Sequence, residues 1–286
     1  LLREDPGHLL VSSVEHPSVL ETAKWLTRKN NLSLGILPVD QSGKILEASM
    51  EAAVQPETCF ISVMAANNET GTVQPFRELA RIARERQVPF HSDCVQYAGK
   101  CELDLESSGL NYATLTAHKL GGPKGIGLLY IREGSPFSPL ITGGGQERSL
   151  RAGTENVAMA FAFAECFEWF CSNRSELESR WLGLRKKLLD SLEDVEHCFV
   201  LGTPDETLPN TLNIGFQGIS AESLLICLDL DGIAVSSGSA CSSGAMEASH
   251  VLLAMGYSHE QAKSSLRISM GWNTSEEDIG ELSRQL

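Results

Sequence analysis

Apolar and polar positions along the first part of the chain alternate between two periodicities. Up to about residue 172, short apolar runs typical of strands are separated by segments in which apolar residues recur every three or four positions. The run 58–65 is almost continuously apolar, which is typical of a strand buried on both faces of a parallel sheet. The predicted strands are 11–14, 33–39, 58–65, 88–91, 112–116 and 127–131, and the predicted helices are 17–29, 46–54, 75–86 and 154–170. This alternation predicts an α/β fold, a mostly parallel sheet with helices on both faces.

The pattern changes at about residue 175. A charged helix leads into an alternating strand, and the remaining elements are short. They are a helix over 176–191, a strand over 210–216, a helix over 222–230, a strand over 233–235, a Ser/Gly-rich loop, two short helices, a strand over 266–270 and an acidic terminal helix. We therefore predict two domains, residues 1–175 and a smaller α+β domain over residues 176–286.

Composition and charge restrict the partners of the chain. Hydrophobic residues make up 42% and charged residues 21%, as in ordinary globular proteins. The net charge of -14 repels phosphate backbones, so no direct nucleic-acid contact is expected. No apolar run reaches the ~20 residues of a membrane helix, so no membrane partner is expected either. The eight cysteines include no C-x-x-C pair, which predicts no metal site and a reducing compartment, the cytoplasm or an organelle such as the mitochondrion.

A lysine in a glycine-dense loop is the first candidate for covalent chemistry. Lys119 follows the predicted strand 112–116 and precedes four glycines within residues 121–127. Sites in open α/β sheets form beyond the carboxyl ends of strands. A desolvated lysine there has a lowered pKa and forms a Schiff base with a carbonyl ligand. A surface lysine in a turn is the alternative.

A carboxylate at the end of a predicted buried strand is the second candidate. Asp93 follows the strand 88–91, and Gln96 lies three residues further on. Such a carboxylate needs a cation, and the ring nitrogen of pyridoxal phosphate is one that pairs with aspartate. Gln96 would donate to a phenolic oxygen. The alternatives are a turn or N-cap aspartate and a solvated glutamine.

Two glycine-rich segments carry the remaining chemistry. Glycines at 143–145 lead to Thr154 at the start of a predicted helix, which favours anion binding, although threonine is also an ordinary N-cap. Residues 236–244 contain Cys241 and no bulky apolar side chain. A thiol in such a loop is expected to be exposed and reactive, with accidental exposure as the alternative.

The order of these motifs resembles one known family. The chain carries Asp-x-x-Gln at 93–96, Thr-Ala-His-Lys at 116–119 followed by Gly-Pro-Lys-Gly, Arg-x-Gly-Thr at 151–154 and Ser-Ser-Gly-Ser-Ala-Cys at 236–241. Together they resemble the cysteine desulfurases of the NifS/IscS group, class V aminotransferase-like enzymes of fold type I. The resemblance implies pyridoxal 5'-phosphate as cofactor and conversion of L-cysteine to L-alanine, with the sulfur passed to a cysteine as a persulfide.

The resemblance implies catalytic roles for several residues. Lys119 would carry the cofactor and move the Cα proton of the substrate, and Cys241 would receive the sulfur. Asp93 would pair with the pyridine nitrogen and Gln96 with the phenolic oxygen. His16 would stack on the ring and serve in proton transfer, whereas without the family it is a helix-start histidine facing solvent.

Further binding residues follow from the same resemblance. Thr116 and His118 would hold the phosphate, and Thr154 would reach the phosphate of a neighbouring subunit, which implies a homodimer. Asn68 would lie near the cofactor oxygen and the substrate. Arg267 would clamp the substrate carboxylate bidentately, and a surface arginine on an edge strand is its plain alternative.

The partners expected from the resemblance are proteins that accept sulfur. The sequence around Cys241 resembles that of the long-loop subgroup, whose members transfer sulfur to an iron–sulfur scaffold or to a carrier protein for tRNA thiolation. The family's upstream phosphate-binding turn has no counterpart before His16, and the chain opens on Leu1 rather than Met. We interpret the chain as an N-terminally incomplete large domain with its small domain, and expect weaker cofactor binding without that turn.

Three other functions stay open on the sequence. A selenocysteine lyase uses the same scaffold to remove selenium. Another class V activity, such as an aminotransferase or a kynureninase-like enzyme, needs no reactive thiol. A non-catalytic chain would serve only as a dimer partner or scaffold-binding module.

Overall fold

The six strands within residues 7–131 form one mostly parallel sheet. The computed structural model describes residues 6–237 and 247–286. The strand order is β2-β1-β3-β4-β5-β6, and every neighbouring pair is parallel except β5 and β6. The strands are β1 (Gly7–Ser12), β2 (Leu32–Leu37), β3 (Thr58–Ser62), β4 (Phe90–Asp93), β5 (Tyr112–Thr116) and β6 (Gly127–Ile131). The predicted mostly parallel α/β arrangement is confirmed.

Three helices join the parallel strands. They are α1 (Pro17–Lys29), α2 (Glu47–Ala53) and α3 (Phe76–Glu85). Proline starts α1, where its missing N–H is not needed. Helix α3 buries Phe76, Leu79, Ile82 and Ala83, the face that the periodicity predicts.

A second, antiparallel sheet forms from the later part of the chain. Its order is β7-β8-β10-β9. The strands are β7 (Cys198–Val200), β8 (Thr211–Phe216), β9 (Ser236–Ser237) and β10 (Ser265–Ser269). The accompanying helices are α5 (Ala221–Leu230), α6 (His250–Ala254), α7 (His259–Lys263) and α8 (Glu276–Gln285).

One long helix replaces two predicted helices. Helix α4 runs unbroken from Val157 to Leu192 over 36 residues, whereas the sequence predicts helices over 154–170 and 176–191. The polar stretch between them contains neither Gly nor Pro, and the buried stripe continues across it from Phe170 to Leu177 and Trp181. The predicted domain division at residue 175 falls inside this helix and stays a prediction. Within the described ranges, no helix combines the length and apolar character needed to cross a bilayer.

Two short elements of the second sheet differ from the prediction. Strand β7 was not predicted, because three residues are too few to show alternation. The predicted strand 233–235 is wrong. Ile233 instead closes the turn after α5, because its N–H donates to Leu228 O at 2.8 Å. Pairing begins instead at Ser236, opposite Arg267.

The parallel strands end at one edge of the main sheet. Strands β1, β3, β4 and β5 run in the same direction, so the segments that follow them share one edge, where open α/β sheets form their sites. Several candidate residues lie at these strand ends or shortly after them in the sequence, namely His16, Asn68, Asp93, Gln96 and Lys119. The topology therefore gathers residues that are far apart in sequence.

Candidate active site

His16 begins helix α1 as its N-cap. Its Nδ1 accepts a hydrogen bond from the Ser18 N–H at 3.2 Å and lies 2.8 Å from Ser18 Oγ. These contacts occupy Nδ1, so Nε2 is the ring nitrogen that stays available to a ligand. His16 is half-buried rather than fully exposed, so it starts a helix and also faces the group around Asp93.

Asp93 is the last residue of β4 and is held among positive charges. Its Oδ1 accepts a hydrogen bond from the Val95 N–H at 2.9 Å, as in an aspartate turn. Burial raises the pKa of Asp93, whereas this hydrogen bond and the charges of His16 and Lys119 lower it. In the described part of the chain, Oδ2 accepts no hydrogen bond. A cationic ligand group would therefore find an available carboxylate oxygen here.

Lys119 follows β5 in a short 3₁₀ helix, Ala117–Leu120. Gly121 ends this turn with a φ of 69°, a left-handed conformation that favours glycine. The Lys119 side chain is exposed, so solvent or a ligand reaches its amine. The charge of Lys119 lowers the pKa of Asp93. The two predicted partners are therefore close enough to interact electrostatically.

Thr116 and His118 form a polar pair beside Lys119. Thr116 Oγ1 lies 2.8 Å from His118 Nδ1. Burial, followed by the charges of Lys119 and Lys124, lowers the pKa of His118. A hydroxyl and an imidazole next to lysines can donate to an anion such as phosphate.

Thr154 lies apart from these residues. It is exposed and precedes helix α4, whose N-cap is Asn156 rather than Thr154. Within the described ranges, no hydrogen bond joins Thr154 to the other candidates. Its own chain therefore does not hydrogen-bond Thr154 into this group.

Arg267 and Asn68 meet across the two sheets. Arg267 Nη1 donates to Asn68 O at 2.8 Å. Strand β10 lies between β8 and β9, where Arg267 pairs with Asn213 and Ser236, so Arg267 is not on an edge strand. Its Nε is buried and has no hydrogen-bond partner among the described residues. An unpartnered guanidinium N–H is available to a carboxylate ligand.

Sequence reasoning missed three buried charged residues beside the candidates. Glu15 precedes His16, Glu69 follows Asn68, and Lys100 lies one helical turn after Gln96; all three are buried. Burial, above all, raises the pKa of Glu15 well above its usual range, and raises that of Glu69 to about 7. The available signal was the position of each charged residue, next to a predicted site residue or four positions from one.

Lys100 links two parts of the site. Its Nζ donates to Gln96 Oε1 at 2.7 Å. Burial lowers the pKa of Lys100 to about 8, and the charges of Lys119 and Arg267 contribute to this shift. We call the residues joined by these contacts and charges the carboxyl-edge cluster: His16, Asn68, Asp93, Gln96, Lys100, Lys119 and Arg267.

Cys241 lies outside the described residues, but the residues that flank this segment are described. On one side, Ser236 pairs with Arg267 through strand β9. On the other, Ser249 caps helix α6, and its Oγ donates to Glu69 Oε2. The charge of Arg267 acts on Glu69. Both flanks of the segment therefore lie close to Arg267.

The side chains of the described residues favour an organic ligand over a metal ion. In residues 6–237 and 247–286, no cluster of three or more His, Cys, Asp or Glu side chains could hold a metal ion. The carboxyl-edge cluster instead offers a carboxylate oxygen, an amide, a lysine amine and an unpartnered guanidinium N–H. With Thr116 and His118 alongside, this donor set fits an organic ligand that carries both a cationic ring nitrogen and anionic oxygens.

Comparison with known proteins gives consistent matches along the chain. Residues 3–282 match the family model described as Aminotransferase class-V. The chain is 40% identical over 277 residues to "Cysteine desulfurase IscS" of Methanosarcina thermophila, covering 97% of this chain and 68% of that protein. It is 40% identical over 279 residues to "Cysteine desulfurase NifS" of Azotobacter vinelandii, covering 97% and 69%. A solved structure titled "NIFS-LIKE PROTEIN" superimposes with a TM-score of 0.91 at 36% identity, covering 99% of this chain and 74% of that one.

Proposed function

The chain belongs to the class-V aminotransferase family and is a cysteine desulfurase, and we propose that the carboxyl-edge cluster is its active site. The observation that carries this proposal is the position of Asp93. It ends a strand at the carboxyl edge of the sheet, and the charges of His16 and Lys119 both act on its carboxylate. The relatives reported above are cysteine desulfurases, so the comparisons do not favour the alternative function of a selenocysteine lyase.

The cofactor of this family, pyridoxal phosphate, fits the residues present. Asp93 Oδ2 is available to the ring nitrogen, and the Gln96 amide nitrogen to the phenolic oxygen. The hydroxyl of Thr116 and the ring of His118 would hold the phosphate. When bound, the cofactor supplies an electron-withdrawing ring that stabilises negative charge at the substrate Cα.

The residues of the chain supply proton transfer and binding of the substrate. Arg267 would bind the carboxylate of L-cysteine through Nε and Nη atoms, while its Nη1 bond to Asn68 O fixes the direction of the guanidinium. Lys119 would act as the general base that removes the Cα proton. His16, held by Ser18 at Nδ1, would offer Nε2–H to the leaving sulfur.

Cys241 would receive the sulfur. Its thiolate attacks the sulfur of the substrate, so that an S–S bond forms while the C–S bond breaks, and the carbon takes up a proton to give L-alanine. The positions of Ser236 and Ser249 near Arg267 support this assignment. We propose that the persulfide then passes to an iron–sulfur scaffold or another sulfur-carrier protein.

We also propose that two copies form the working enzyme. Half of the exposed large apolar side chains of the described residues fall within residues 128–161, including Leu140, which is 93% exposed. Exposed apolar side chains concentrated in one stretch of the chain support an interaction surface there. We propose a second copy as the occupant, because Thr154 is exposed in this same stretch and makes no hydrogen bond to the candidate residues of its own chain among the described residues. The seven described cysteines are free thiols, which supports a reducing compartment such as the cytoplasm.

Mass spectrometry after incubation with L-cysteine and pyridoxal phosphate tests the assignment. We expect one added sulfur atom on Cys241, removable by a thiol reductant, together with released alanine. Cys241→Ser should bind the cofactor but form no persulfide. Lys119→Ala should lower alanine formation by roughly 10²–10⁴-fold. Alanine formed at the wild-type rate by Lys119→Ala would exclude this active site, and a persulfide on another cysteine would exclude the role of Cys241.

A further inference from the structure

Gln96 and Lys100 lie in the turns that directly follow β4. The Ala98 N–H bonds to Cys94 O at 2.9 Å, and the Cys101 N–H bonds to Tyr97 O at 3.0 Å. Gly99 lies between the two residues in a left-handed conformation, and the chain folds back there. Lys100 Nζ accordingly lies 2.7 Å from Gln96 Oε1.

The Lys100 ammonium is buried without a carboxylate partner. Its side chain is 6% exposed, and no ion pair in the described part of the chain includes it. Two further cations, Lys119 and Arg267, act on it. A buried cation in such a position is costly and is retained mainly where it serves a ligand or a neighbouring group.

The contact determines which end of the Gln96 amide is available. A carboxamide has one oxygen that accepts and one nitrogen that donates. Because Lys100 occupies the oxygen, rotating the amide by half a turn would place its NH₂ group against the ammonium. The orientation with Nε2 directed away from Lys100 is therefore strongly favoured.

We propose that Lys100 is a positioning residue that holds Gln96 as a hydrogen-bond donor and so makes the site select an anionic phenolic oxygen on its cofactor. This inference rests on the proposed function, since it assumes that Gln96 faces pyridoxal phosphate. Lys100 acts through Gln96 and need not touch the cofactor. Its positive charge further favours the ionised form of that oxygen.

The test compares two ligands that differ only at the phenolic oxygen. Dissociation constants for pyridoxal phosphate and for its 3-deoxy analogue are measured by absorbance in the wild type, Lys100→Met, Gln96→Ala and the double variant. We expect the wild type to prefer pyridoxal phosphate and Lys100→Met to lose about tenfold of that preference. In the Gln96→Ala background, Lys100→Met should cause little further loss, because the two residues act together.

Control variants separate this role from a general effect. Lys24→Met removes an exposed lysine on α1 and should leave the preference unchanged. Lys100→Arg keeps a donor and should retain most of it, which also decides the question if Lys100→Met does not fold. An unchanged preference in folded Lys100→Met, or its loss in Lys100→Arg, would overturn the inference. A wild type that binds neither ligand would instead refute the proposed function, and the inference with it.

Discussion

At the scale of single residues, Glu69 contacts Ser249, which flanks the segment that contains Cys241, and interacts with the charge of Arg267, the proposed substrate-binding arginine. It is 4% exposed, its Oε2 accepts a hydrogen bond from Ser249, and the charge of Arg267 acts on it. Asn213 Nδ2 also donates to Glu69 O at 3.2 Å. The carboxyl group therefore responds both to the charge of Arg267 and to pH.

Glu69 should make the protein less stable as the pH rises. Burial raises the pKa of Glu69 from 4.5 to about 7 in the folded state, so the folded state binds the proton more tightly than the unfolded state. Its stabilising contribution is complete below pH 4.5 and is lost as the pH rises to 7, by about 3 kcal/mol. We expect Glu69→Gln to remove this slope, measured by urea unfolding at several pH values. A wild-type-minus-variant difference that is constant between pH 5 and 7 would contradict the assignment.

Gly99 permits the turn that brings Lys100 to Gln96. Its φ is 76°, and a Cβ at this position would lie 2.8 Å from Leu120 Cδ2. Gly99→Ala should lower the free energy of unfolding by about 2–4 kcal/mol through backbone strain and overpacking. Gly125→Ala is the matched control, because Gly125 has a φ of 88° with nothing within 4 Å of its Cβ. It should lose only about 1 kcal/mol, and equal losses would show that packing at Gly99 is unimportant.

At the scale of elements, the continuity of α4 is the main structural finding that the sequence did not predict. Proline at the first position of a helix is tolerated, whereas inside a helix it removes a hydrogen bond and clashes with the preceding turn. Ser175→Pro should therefore lower the free energy of unfolding by about 3 kcal/mol or more. Ser175→Ala should have little effect. Urea unfolding measures both variants, and a stable Ser175→Pro protein would favour the two-helix prediction.

The sequence pattern predicts correctly those helices and strands whose bounds are set by neighbouring residues. Helix α1 has the predicted bounds because Pro17 starts it and a polar segment ends it. Strands β5 and β6 also have the predicted bounds. The sequence predicts two helices in place of α4 because the residues in its middle are polar. Burial of Leu177 and Trp181 nevertheless keeps this segment in one helix. The buried roles of Glu69 and Lys100 depend on contacts with distant or folded segments, which periodicity does not report.

At the scale of the whole molecule, charge is distributed unevenly. The chain carries a net charge of -14, yet Lys100, Lys119 and Arg267 act on one another or on common neighbours within one cluster. A local excess of cations in an acidic protein attracts small anions to that cluster and repels large polyanions from the surface. The sequence predicted the second effect from composition, whereas the first depends on the strand order.

The exposed apolar side chains at residues 128–161 are where we propose that two copies of the chain pair. Thr154 is exposed in the same stretch of sequence as Leu140, Val157 and Phe161, whose side chains are strongly exposed. In a dimer that buries these side chains, Thr154 of one chain would approach the cluster of the other. Leu140→Glu should then shift the protein towards the monomer in sedimentation experiments and weaken cofactor binding, because a charge buried at the interface lacks a partner.

A hybrid of two variants separates a shared site from a self-contained one. In Thr154→Val homodimers, both sites should bind pyridoxal phosphate weakly, and Lys119→Ala homodimers should be inactive. A hybrid has one site with Lys119 from the first chain and Thr154 from the second, so that site is intact if Thr154 acts across the interface. Activity at low cofactor concentration should then exceed that of either parent. If Thr154 serves its own chain, the site that keeps Lys119 also keeps the valine, and no gain is seen.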